Sequence, residues 1–215
     1  MPTENLTYIL FSNWQHTLQP FGVDQVEAEK AFNQLVAVYS TPDRHYHTLK
    51  HIHHVLSTIQ ILQGYTNNLA AVQIAAWFHD VVHNTQAEDN EQKSADYALE
   101  LLSNLGISES TITSVTHLIL NTKDHQATVD DYDSQVLLDA DLAVFAANSV
   151  DYTEYAYAIR QEYSWVPRAE YIVGRRQFLE RFLQRSHIYF TPLMSEFAEP
   201  CARGNIQEEI QSLVD

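Results

Sequence analysis

A chain of 215 residues with 45% apolar side chains is long enough to bury a sizeable core. Its 28 acidic side chains outnumber 12 basic ones, for a formal net charge of −16, and so acidic a surface repels a phosphate backbone or an anionic bilayer, which speaks against nucleic acid and membrane as partners. Only 5 Gly and 6 Pro disfavour a turn-rich all-β fold, the lone Cys201 rules out an intramolecular disulfide, and no apolar stretch reaches the length of a membrane span.

The expectation is a cytoplasmic, all-α protein: a single-domain helical bundle over residues 1–215, with about nine helices and no linker or repeat. Apolar residues recur at spacings of three and four through most of the chain. A first helix is predicted over about Leu6 to His16, broken by Pro20, Phe21 and Gly22. Asp24 caps a second, running to about Tyr39. After the Thr41-Pro42-Asp43 turn, a third covers about Tyr46 to Gln63, and a fourth about Asn68 to Asp80. A polar loop to Asp89 leads into a helix from Asn90 to Leu105, and Ser108 caps another to about Asn121. Beyond the polar stretch from Thr122 to Tyr132, helical spacing returns at Leu137 to Ala147, Asp151 to Tyr163 and Ala169 to Gln184. The tail from Ser195 is read as mostly helical, with Gly204 as a break.

Three motifs carry chemistry. In Ala75-Ala76-Trp77-Phe78-His79-Asp80 an apolar helix ends on two adjacent polar groups, costly to bury without partners. A metal ion would satisfy both, since imidazole nitrogen and carboxylate oxygen suit first-row divalent cations; a plain helix-terminal polar pair is the other reading. In Tyr46-His47-Thr48-Leu49-Lys50-His51-Ile52-His53-His54, His47 and His51 stand four apart, on one face of the predicted helix, while His45 and His53 are left unassigned. In Leu137-Leu138-Asp139-Ala140-Asp141-Leu142 two carboxylates interrupt an apolar helix, and helix capping accounts more readily for one than for both.

The order His … His-Asp … Asp resembles the HD superfamily of metal-dependent phosphohydrolases, over about residues 44–143. The resemblance implies an HD-type helical domain and a metal held by His51, His79, Asp80 and Asp141. Asp141 is preferred to Asp139 because Ala140-Asp141-Leu142 fits the family's last block. The Tyr46-His47-x-x-x-His51 and His79-Asp80-x-x-His83 blocks also resemble the cyclic-nucleotide phosphodiesterase branch, where the first His donates a proton. That makes His47 the candidate general acid and Asp80 the ligand that orients water. Beyond these blocks, Ile159-Arg160-Gln161-Glu162-Tyr163 and Gly174-Arg175-Arg176 look like a bacterial branch known as predicted HD phosphohydrolases, so cyclic nucleotides are not assumed as substrate.

The implied cofactor is one or two divalent ions per chain (Mn, Mg, Fe, Co, Ni or Zn), and the implied partner a small phosphorylated substrate such as a nucleotide. His83, Glu91, His117, His125 and Asp139 are candidates for a second metal or for supporting a ligand from behind. Glu91 can also be read as a capping-box residue and His117 as a core histidine. Arg44, Lys123, Arg160 and Arg175 are candidates for binding phosphate, with a solvated surface as the alternative for each. Two other functions compete: a di-iron oxygenase drawing further ligands from His83, His117 and His125, and a nucleotide-binding regulatory module without turnover.

Overall fold

The computed structural model describes residues 3–213. Eleven α-helices and no strand occur among them, more helices than the nine expected. The tail supplies part of the excess: it holds two helices, and Gly204 lies inside the second instead of breaking it. The chain falls into two compact units, residues 1–138 and 139–215. No linker marks the division in the sequence because it falls inside a helix, α7 (Tyr132–Asp141).

The first unit contains α1 (Thr3–Leu18), α2 (Gln25–Tyr39), α3 (Leu49–Leu62), α4 (Leu69–Phe78), α5 (Asn90–Asn104), α6 (Glu109–Asn121) and the start of α7. Its centre is α4, whose sequence Leu-Ala-Ala-Val-Gln-Ile-Ala-Ala-Trp-Phe is apolar on nearly every face, as a helix surrounded by others must be. It packs against α1, α3, α5 and α6, and Ile74 through Phe78 are fully buried. Trp77 meets Trp14 edge-on at 5.5 Å and Phe32 at 5.9 Å between ring centroids. The Trp14 indole N–H donates to the Ala28 carbonyl at 2.8 Å, joining α1 to α2. At the other end of α4, Asn68 caps the helix through the Ala71 amide, and the Asp133 carboxylate accepts from the Asn67 and Asn68 amides.

The second unit holds the end of α7, a 3-10 segment Leu142–Ala146, α8 (Ser149–Glu162), α9 (Arg168–Leu183), α10 (Pro192–Phe197) and α11 (Glu199–Ser212). Helix α11 packs on α8, α9, α10 and the 3-10 segment. Phe145 and Phe182 meet edge-on at 5.1 Å in its core. Asn205 donates to both the Phe145 and Ala147 carbonyls at 2.8 Å, which fastens the 3-10 turn to α11. No helix among the described residues is long and apolar enough to cross a membrane.

Candidate metal centre

The His79-Asp80 pair sits where α4 stops. The last carbonyls of a helix lack intrahelical donors, and here each finds one. The Tyr39 hydroxyl donates to Trp77 O at 2.8 Å, the His79 ring to Ala76 O at 2.9 Å, and the Val81 amide to Phe78 O. Just beyond, the Arg44 guanidinium donates to Asp80 O and Val81 O at 2.8 Å each, and to His47 O at 3.0 Å. It lies 4.9 Å over the Tyr39 ring, with its positive charge at the negative end of α4. One cation therefore ties the chain around His47 to the chain around Asp80.

The Nδ1 contact with Ala76 settles the His79 ring. That nitrogen carries the proton and donates it, so Nε2 presents a lone pair inward. His79 Nε2 stands 3.1 Å from His51 Nε2 and 3.1 Å from Asp80 Oδ2, and His51 Nε2 is 3.5 Å from the same oxygen. Ligands bonded at about 2.0–2.2 Å to one ion stand about 3.0–3.5 Å apart when adjacent, so these separations are those of three neighbouring ligands. Two imidazole nitrogens this close need a proton or a metal cation between them. His51 and His79 are 3% and 2% exposed, which shields such an ion from water on that side. Burial pushes the Asp80 carboxyl up, but the surrounding imidazoles of His79, His47 and His51 outweigh it and hold the group well below the usual carboxylate range. Asp80 is ionised across the physiological range, as a metal ligand must be.

A second group shares Asp80. His47, Asp80 and His83 offer ligand atoms within 4.8 Å of one another, as do His51, His79 and Asp80. His47 Nε2 is 3.8 Å from Asp80 Oδ2, and the His47 and His83 rings lie 4.0 Å apart and 31° from parallel. His47 is not on α3 as its spacing from His51 suggested. Thr48 caps that helix in an extended conformation, accepting from the Lys50 amide, which leaves His47 in the preceding turn. The two rings still lie 5.7 Å apart.

Glu91, His117, His125 and Asp139 stand outside both ligand groups. Glu91 is the second residue of α5, one place short of the capping-box position, and outside both ligand groups. His117 is exposed, not a core histidine, and pairs with Asp131 at 2.8 Å; that carboxylate also accepts from Ser134 at the start of α7. His125 occupies a left-handed turn at φ 48° and joins neither group. Asp139 is fully buried in the second unit and accepts from the Phe190 and Thr191 amides and the Thr191 hydroxyl at 2.6–2.8 Å. Thr191 precedes α10, so Asp139 serves that helix start. Asp141 is the last residue of α7 and half-buried.

Of the phosphate-binding candidates, Arg44 and Arg175 are buried, Arg160 is half-buried and Lys123 is exposed. Arg44 spends its donors on the three carbonyls named above. Lys123 donates to Glu88 O, and Arg160 to Tyr163 O and Val166 O just past α8. Arg175 is buried against the Glu209 carboxylate at 2.8 Å and the Tyr155 hydroxyl at 3.0 Å. A cation in an apolar interior must find such partners, and sequence position does not show them. Sequence reading also passed over Tyr39, though a tyrosine closing an apolar helix before the Thr41-Pro42 turn signals a hydroxyl with a partner.

No family model, no curated protein and no solved structure matches the chain.

Proposed function

We propose that the chain is a cytoplasmic metal-dependent phosphohydrolase of HD type, acting on a nucleotide or another small phosphoester. The observation that carries this reading is the set of three donor atoms from His51, His79 and Asp80, spaced as neighbouring ligands of one divalent ion. By the family resemblance Asp141, at the end of α7, is the fourth ligand. The resemblance of the His … His-Asp … Asp order to the HD superfamily supports the same assignment.

A bound divalent ion supplies an activated water and a Lewis acid for the phosphoryl oxygens. The chain's own part is to hold donors and charge in place. His79 keeps its lone pair inward through Ala76 O, and Asp80 stays ionised among imidazoles. Asp80 Oδ2 can accept a hydrogen bond from water and orient it. The His47 side chain is more exposed than those of His51 and His79. With little open positive charge nearby, an anionic substrate depends on the metal for neutralisation.

The test is metal analysis of the purified protein together with phosphate release over a panel of nucleotides and simple phosphoesters. Asp80→Ala is expected to lose both bound metal and hydrolysis. Wild-type metal content in that variant would refute the assignment.

A further inference from the structure

We propose that His47 and His83, with Asp80 shared between the two groups, form a second divalent-cation site, so that His47 is a metal ligand instead of the proton donor its resemblance suggested. This rests on the first ion being held by His51, His79 and Asp80.

The donor atoms of His47, Asp80 and His83 converge within 4.8 Å, with Asp80 as the one carboxylate in that set. The 3.8 Å between His47 Nε2 and Asp80 Oδ2 falls between the separations of adjacent and opposite ligands, about 3.0 and 4.2 Å for bonds of about 2.1 Å. Imidazole and carboxylate together suit a first-row divalent ion.

Both histidines are held from outside the helices. The His47 carbonyl is fixed by the same guanidinium that holds the Asp80 carbonyl, so the spacing of the two residues is set by one side chain. His83 lies between two residues pinned to α5. The Val82 amide donates to the fully buried Ser94 hydroxyl, which donates back to the Val82 carbonyl. The Asn84 amide donates to the Asn90 side chain, whose amide returns a bond to the Asn84 carbonyl at 2.9 Å. These ties fix the backbone on both sides of His83 and so limit where its ring can go. Two ions sharing one carboxylate form the arrangement that clamps the attacking and leaving oxygens of an in-line displacement, which fits a phosphoester substrate.

The test is calorimetric titration of the intact, metal-stripped chain with Mn2+, with electron paramagnetic resonance on the loaded protein. Wild type is expected to take up two ions per chain and to give an exchange-coupled spectrum. His83→Gln and His47→Gln, each checked for native helicity, are expected to retain one ion at unchanged affinity and to give an isolated-ion spectrum. Saturation of the wild type at one ion, or two ions persisting in both variants, would overturn the second site while leaving the first intact. Asp80→Ala is expected to bind none; one tightly held ion in that variant would instead remove the first site on which this proposal depends.

Discussion

Arg44 shows how a residue of one expected chemistry can serve another. Its guanidinium donates to three carbonyls on two stretches of chain, leaving it no open face toward a phosphate. Arg44→Met strands those carbonyls and is expected to cost about 3–5 kcal/mol of stability, read by urea unfolding. Arg44→Lys keeps the charge but not the planar fork, and is expected to lose part of that stability and to weaken metal binding in the same titration. A phosphate-binding Arg44 would behave differently: Arg44→Lys would raise KM while unfolding and metal affinity stayed as in wild type. Asp80 belongs to the same scale. Its carboxyl is held low by the surrounding histidines, so its interactions with them persist to acid pH and are lost only as pH falls through its depressed value.

At the scale of elements, α4 and α10 are each completed by a residue distant in sequence. Tyr39 closes the last turn of α4, and Asp139 receives the amides that lead into α10. Burial pushes the Asp139 carboxyl up from 3.8 to about 6, although three donors favour its charged form. For an acid raised in the folded state, the stabilising contribution is complete below the unfolded value and is lost as pH rises through the folded one. Asp139→Asn removes that titration and one acceptor. The stability advantage of wild type over Asp139→Asn is therefore expected to shrink by about 2 kcal/mol between roughly pH 4 and pH 6, measured by denaturant unfolding at each pH. An advantage that stays constant over that range would contradict the buried-carboxyl account. Helix starts were legible where a short polar side chain caps its own helix: Asp24, Asn68 and Ser108 each accept from amides two or three residues on. His47 was misplaced because Thr48, another such cap, begins α3 later than the apolar spacing implied.

For the molecule as a whole, binding at the site is linked to stability. Mn2+ at a hundredfold its Kd adds about 2.7 kcal/mol to a fold that binds it only when native. In a chain of this size that corresponds to a rise of roughly 5–10 °C in Tm, reversed by a chelator. The rise is expected to diminish as pH falls toward roughly 5, because protons then compete with the ion for imidazole nitrogen. A melting temperature indifferent to metal and chelator at neutral pH would contradict the proposed centre. The acidic surface, at −16 overall, is consistent with a site that recruits a cation before an anion.

Helical class, most helix positions and the residues with ligand chemistry are readable from the amino-acid order. Those properties depend on spacing along the chain and on side-chain type, both of which are local. Long-range packing is what stacks His47 and His83 beside Asp80, makes Arg44 and Arg175 interior cations, and sets Asp139 to serve α10. It also divides the chain within α7, where helical periodicity runs on without a break. A buried polar group takes its role from whichever donor or acceptor folding brings to it, and for these residues that partner, or one of them, lies tens of positions away.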